Sequence, residues 1–162
     1  MALSVSVTTR PPRPTERDGV DYFFISDVEF DRMVAGAELL EWAEIVGHRS
    51  GTPAAFVRDR RTDGRDVLLE IDVEGARQVR ERIPEAVLVF LEPPSMEELE
   101  RRLRGRRTED DDRIEWRLQT ARREMERRSS FDHVVVNDDL DRASAEVAAI
   151  IDASRSASED AS

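Results

Sequence analysis

Residues 67–75 read VLLEIDVEG, and this stretch decides the fold. The apolar run, interrupted at Glu70 and Asp72, predicts a strand over 67–72. A helix is expected from about Gly75 to Arg82, stopping before Pro84. A strand leading directly into a helix is half of a parallel crossover unit. The same pattern recurs downstream. AVLVFL at 86–91 ends at Pro93-Pro94, and Ser95 with Glu98 forms a capping box for a helix to about Arg104. HVVVN at 133–137 precedes a helix that carries Leu140, Ala143, Val147, Ile150 and Ile151 on one face. Three such units in a row predict an α/β protein with a parallel sheet covered on both faces.

Upstream the pattern changes. LSVSVT at 3–8 reads as a strand, and RPPRP at 10–14 bars any helix there. A turn near Asp18-Gly19 leads to a strand DYFFI at 21–25. Ser26 and Glu29 have capping-box spacing and open a short helix to about Ala35. LLEWAEIV at 39–46 fits helix or strand, and Gly47 and Gly51 bracket a turn after it. Residues 10–66 therefore read as an inserted subdomain with mixed strands. The charged run 104–113 reads as a loop before a helix with Ile114, Leu118, Ala121 and Met125 at helical spacing. SRSASEDAS reads as a disordered tail, placed at 153–162.

The 162 residues suffice for one domain, expected over 1–152. With 36 acidic and 25 basic residues the formal charge is −11, so the bulk field repels nucleic acid and anionic membranes. A local cationic pocket for an anion remains open. There is no cysteine and only two histidines, which excludes disulfides, thiolate chemistry and a His-rich metal site. Every basic residue is arginine, so a Schiff base or a phosphate-loop lysine within these residues is excluded as well. No window is apolar enough for a membrane span, and the first residues lack signal-peptide character; a cytoplasmic location is expected.

Several side chains are placed for chemistry. Arg10 and Arg13 flank a rigid proline pair just after a strand, suited either to gripping a phosphate or to a solvated basic loop. Glu70 and Asp72 share one strand face; buried there, they would need an arginine, a base edge or a magnesium-bound water, or would form a structural ion pair to a helix. Glu41, among Leu39, Leu40 and Trp42, is by default an exposed helix residue. Tyr22 fits an ordinary hydrophobic role beside Phe23 and Phe24. Arg102, Arg106, Arg107 and Arg117 form a lid over polyphosphate or a solvated surface. Asn137-Asp138-Asp139 fits a turn or a helix cap.

SVSVTTRPPRP, GVDYFF, GAELLEWAEI, LLEIDVEGARQV, GRRTED and VVVNDDL occur in this order, and together they resemble guanylate kinase over about residues 3–152. The resemblance implies a core (3–9 and 67–152), a GMP-binding subdomain (about 10–66) and a mobile lid (about 104–125). It implies transfer of the γ-phosphoryl group of ATP, with Mg²⁺, to GMP. Arg10, Arg13 and Tyr22 would hold the GMP phosphate. Ser6, Glu41, Thr52, Glu70 and Asp72 would line the base and the nearby polar site. Arg102, Arg106 and Arg117 would be the lid and catalytic arginines, and Asn137 would stand on the ATP side. No protein-held metal site is implied.

This sequence departs from the family pattern in three places. The family opens with a strand, a glycine-rich loop ending GK[ST] and a helix, and the lysine-free 162 residues hold no such loop. Ser50 stands where the family has a tyrosine that touches the GMP phosphate, and Arg107 stands where its lid has glycine. The fold expectation is thus a three-layer, P-loop kinase-like parallel sheet missing its first strand. These residues alone are expected not to turn over GMP, and to self-associate through the exposed gap in the core sheet. The alternative reading is a non-catalytic GMP-binding or protein-interaction module.

Overall fold

A computed structural model of the chain describes residues 1–45, 47–105 and 111–160. It is an α/β structure of two compact units, Met1–Ala86 and Val87–Ser162. The first unit contains β1 (Ala2–Leu3), β2 (Val7–Thr8), β3 (Phe23–Phe24), α1 (Asp27–Ala35), β4 (Leu39–Ile45), β5 (His48–Pro53), α2 (Ala54–Thr62), β6 (Val67–Leu68) and α3 (Val73–Arg82). The second contains β7 (Val89–Glu92), α4 (Met96–Gly105), α5 (Asp111–Met125), a 3-10 turn at Arg128–Ser130, β8 (His133–Val136) and α6 (Leu140–Asp160).

The mixed sheet of the first unit has the order β3-β2-β5-β4. β2 runs parallel to β3 and antiparallel to β5, and β5 forms a hairpin with β4. Because β2 is paired on both sides, Val7 and Thr8 are buried. The single strand expected at 3–8 is in fact two. β1 pairs in parallel with β6, and the chain then leaves that ladder to enter the mixed sheet at Val7. Leu3, paired on one side only, is 60 % exposed.

β4 resolves the ambiguity at 39–46 as a strand and contains a bulge between Leu39 and Glu41. Leu39 faces Pro53 and Glu41 faces Thr52, so Leu40 is the extra residue. Leu39 packs with Val7 and with Phe30 of α1. Leu40 packs with Val57 of α2 and Val79 of α3. The strand is thus clamped between two helical layers, and apolar burial on both faces holds it. The helix α2 and the strand character of Gly51 depart from the expected turn. Pro53 starts α2 with no side-chain cap, so it lacks the usual start signal.

β6 is shorter than the strand expected at 67–72. Beyond Leu68 the alternation persists without a partner. Leu69 and Ile71 pack against the Leu40–Val57–Val79 cluster, while Leu68 and Glu70 are exposed. The helix then starts at Val73, two residues earlier than expected, because Asp72 is its N-cap.

In the second unit β7 and β8 pair in parallel over four residues each, with Phe90 and Val135 buried. Leu103 of α4 packs with Ile114 and Leu118 of α5. The tail expected from 153 is helical through Asp160: no glycine or proline follows Leu140, and the run is rich in alanine. Among the described residues no helix is long and apolar enough to cross a membrane.

Candidate functional site

Two polar clusters lie in the mixed sheet of the first unit. Glu41 and Thr52 are cross-strand neighbours, and both are buried, at 4 % and 0 % exposure. The Thr52 hydroxyl donates to Glu41 Oε1 at 2.6 Å. The other carboxylate oxygen lies over α3: a Cβ placed on Gly75 would be 2.6 Å from Glu41 Oε2. Asp72 Oδ1 accepts from the Gly75 N–H at 2.6 Å, so two carboxylates flank this glycine. Burial pushes the Glu41 carboxyl above its ordinary range; the Thr52 hydrogen bond partly offsets this, and the Asp72 charge adds to it. Gln78 fixes the same segment of β4. Its amide donates to Trp42 O at 2.8 Å, and its carbonyl oxygen accepts from Trp42 N at 3.1 Å.

The second cluster is built on β2 and β5. Thr8 Oγ1 donates to Arg49 O at 3.0 Å and accepts from the Ser50 hydroxyl at 3.0 Å and from Arg10 N at 3.3 Å. Thr8 faces Ser50, and Ser50 is two residues from Thr52. The period of a strand therefore places Ser50 and Thr52 on one face. Arg10, two residues past Thr8, lies over the Tyr22 ring at 5.6 Å. Its NH2 donates to both oxygens of Glu16, at 2.8 and 3.0 Å, and its NH1 donates to Pro11 O at 2.7 Å. Arg13 is anchored by its backbone, whose N–H donates to Glu16 Oε2 at 2.7 Å, while its side chain is 66 % exposed. The Arg10 hydrogen bond, followed by that from the Arg13 backbone, holds the Glu16 carboxyl below the usual range.

The structure therefore brings Arg10, Arg13 and Tyr22 into one cluster and Glu41, Thr52 and Asp72 into another. Ser6 is half-buried, and its carbonyl accepts from Phe23 N at 2.9 Å. Two expectations are corrected. Glu70 is exposed rather than buried in an apolar strand, because β6 ends before it. Glu41 is a buried strand residue rather than an exposed helical one. Sequence reading missed Glu16, whose signal was an acid three residues after Arg13, and missed the glycine contact at Gly75.

In the second unit Arg102 is half-buried, and each of its three nitrogens donates. Its Nε donates to Glu98 at 2.8 Å, its NH1 to Asn137 O at 2.8 Å and its NH2 to Asp138 O at 3.4 Å. Asn137 follows β8, and its N–H donates to Glu92 O. Arg117 is half-buried on α5. Arg106 and Arg107 lie outside the described residues.

The guanylate kinase family model matches residues 1–154. A guanylate kinase of Thermobifida fusca is 57 % identical over 149 residues, 92 % of this chain and 76 % of that protein. One from Streptomyces kasugaensis is 55 % identical over 149 residues, covering 92 % and 73 %. The crystal structure of guanylate kinase from Anaplasma phagocytophilum superposes with a TM-score of 0.79 at 36 % identity, covering 94 % of this chain and 74 % of that one. A buried Glu–Thr pair and an arginine–tyrosine cluster on one mixed sheet thus occur in a chain whose sequence and fold both match along nearly its whole length, and the chain belongs to the guanylate kinase family.

Proposed function

We propose that the chain serves ATP:GMP phosphoryl transfer, giving GDP and ADP, and that the described clusters form the GMP side of that reaction. A GMP phosphate oxygen bonds to the γ-phosphorus as the bond to the β–γ bridging oxygen breaks. The observation that carries this reading is the buried Glu41–Thr52 pair. Burial strips the carboxylate of water, and the Thr52 hydroxyl and backbone N–H do not make up the loss, which is why its proton affinity is raised. Guanine offers N1–H and N2–H₂ as adjacent donors, whereas adenine offers no such pair. Selectivity then comes from the cost of leaving a buried acceptor unpaired with the wrong base.

In this reading Arg10, Arg13 and Tyr22 take the GMP phosphate. Ser6, Thr52, Glu70 and Asp72 border the base and its polar surroundings beside Glu41. Arg102, Arg106 and Arg117 neutralise the transferred phosphoryl group. Asn137 stands on the ATP side. Mg²⁺ enters as part of the MgATP substrate; among the described residues no group of three or more acidic or His side chains could hold it.

The parallel pair β1–β6 is read as part of a core sheet with room for a further strand, since Leu3 and Leu68 face each other in register and are both exposed. Self-association through this edge is part of the proposal. Since the 162 residues contain no lysine and hence no GK[ST] loop, the donor phosphates lack their usual cradle within them.

Calorimetric titration with GMP and AMP tests the base reading: GMP should bind more tightly, and equal affinities would remove it. A coupled ADP-release assay on the 162-residue chain should show no appreciable turnover. A rate near roughly 1 s⁻¹, ordinary for an enzyme, would show that another group cradles the donor phosphates.

A further inference from the structure

We infer that Glu16 is a positioning residue for the phosphate arginines, tightening monophosphate binding by holding Arg10 and the 10–13 turn in their binding geometry. The inference rests on the reading of Arg10 and Arg13 as phosphate ligands. Three observations carry it. Both Glu16 oxygens accept from one terminal nitrogen of Arg10, while Pro11 O takes the other, so the guanidinium is fixed along one edge. Glu16 also closes its own turn reciprocally. Its N–H donates to Arg13 O at 3.0 Å, and its Oε2 accepts from Arg13 N at 2.7 Å. Finally, its side chain is only 12 % exposed, against 66 % for the Arg13 side chain it sits beneath.

The division of labour follows from this geometry. A long arginine side chain loses rotamer freedom when it binds an anion, and that loss weakens binding. Here Arg10 has already lost it, between the Glu16 carboxylate and the Tyr22 ring. A guanidinium has five N–H donors, so the edge taken by Glu16 and Pro11 leaves others for a phosphate. Arg13 has an exposed head on a fixed backbone, its NH1 3.8 Å from Glu16 Oε1, suited to closing over the ligand. The same carboxylate opposes binding by reducing the net positive charge. Positioning is favoured because the contact is formed by a nearly buried acid at the root of the loop rather than by one mobile in solvent.

The test is calorimetry of GMP and guanosine against the wild type, Glu16→Gln, Glu16→Asp and Arg10→Gln. Glu16→Gln should weaken GMP about tenfold, the value of roughly one charge-assisted hydrogen bond, and leave guanosine unchanged. Glu16→Asp, which keeps the charge but shortens the reach, should recover part of the loss. A structural role alone would weaken both ligands together and would overturn the inference. So would unchanged or tighter GMP binding in Glu16→Gln while Arg10→Gln weakens GMP; the phosphate reading would then survive. If Arg10→Gln leaves GMP binding unchanged, the phosphate reading itself falls, and the inference with it. Should Glu16→Gln fail to fold, Glu16→Asp decides alone: a loss confined to GMP supports positioning, and no loss overturns it.

Discussion

Glu41 in the first unit is buried and Arg102 in the second is half-buried, and their partners differ in kind. Glu41 is held by the Thr52 hydroxyl and backbone N–H, which leave its desolvated carboxylate with a raised proton affinity. Arg102 is matched by a carboxylate and two main-chain carbonyls, which together tie α4 to the end of β8. A desolvated anion short of donors gains most from a ligand that brings them, whereas a cation already matched by acceptors gains less from one more. The lesson is that burial alone does not show how much a charged group has to gain from a ligand; the donor and acceptor count does.

The largest expected effect comes from removing the space beside Glu41. Gly75→Ala puts a Cβ 2.6 Å from Oε2 in a packed layer, and should cost about 2–3 kcal/mol by urea unfolding, as overpacking does. GMP binding should fall with it. An unchanged midpoint would mean that Glu41 can retreat, and that its constraint is weaker than Arg102's. Next, Arg102→Met should cost about 1–2 kcal/mol, because two backbone carbonyls lose a charged donor. Arg13→Ala should stay within about 0.5 kcal/mol, as an exposed arginine does. Equal losses in these two variants would erase the distinction between an arginine that ties two elements together and one whose head lies open to solvent.

Glu41→Gln should move stability the other way. Since the folded carboxyl is raised, ionising it costs stability as pH climbs from 4.5, its ordinary value, through the raised one. The variant should therefore be more stable than the wild type at neutral pH, with the gap closing below pH 4.5. It should also lose preference for GMP over AMP. A pH-independent gap would place the strain elsewhere. The smallest effect is expected at Ala37, which holds φ 52° between α1 and β4. Ala37→Gly should gain about 0.5 kcal/mol, the relieved left-handed cost less the added chain entropy, visible as a small rise in Tm.

Helix starts with a polar cap were legible in the sequence. Ser26 Oγ accepts from Glu29 N, and Ser95 Oγ from Glu98 N, as their spacing predicts. The apolar run at 67–72 hides the cap at Asp72, so α3 starts at Val73 and not at Gly75. The segment Leu39–Ile45 could not be assigned because its bulge buries Leu39, Leu40 and Glu41 consecutively, which breaks the alternation that marks a strand. Of the candidate site, the arginines were legible from a rigid proline-rich loop. Their carboxylate partner Glu16 was one acid among many charges, and only the folded turn singles it out.

The Gln78 amide has a further consequence for the outer strand of the mixed sheet. β4 is an edge strand, and its unpaired rim would be a template for adding another chain. Gln78 presents one donor and one acceptor to Trp42 in the manner of a neighbouring backbone, and the Arg82 guanidinium donates to Leu39 O. One helix thus imitates the strand that would otherwise be recruited, and gives that edge a built-in stop against intermolecular β-extension.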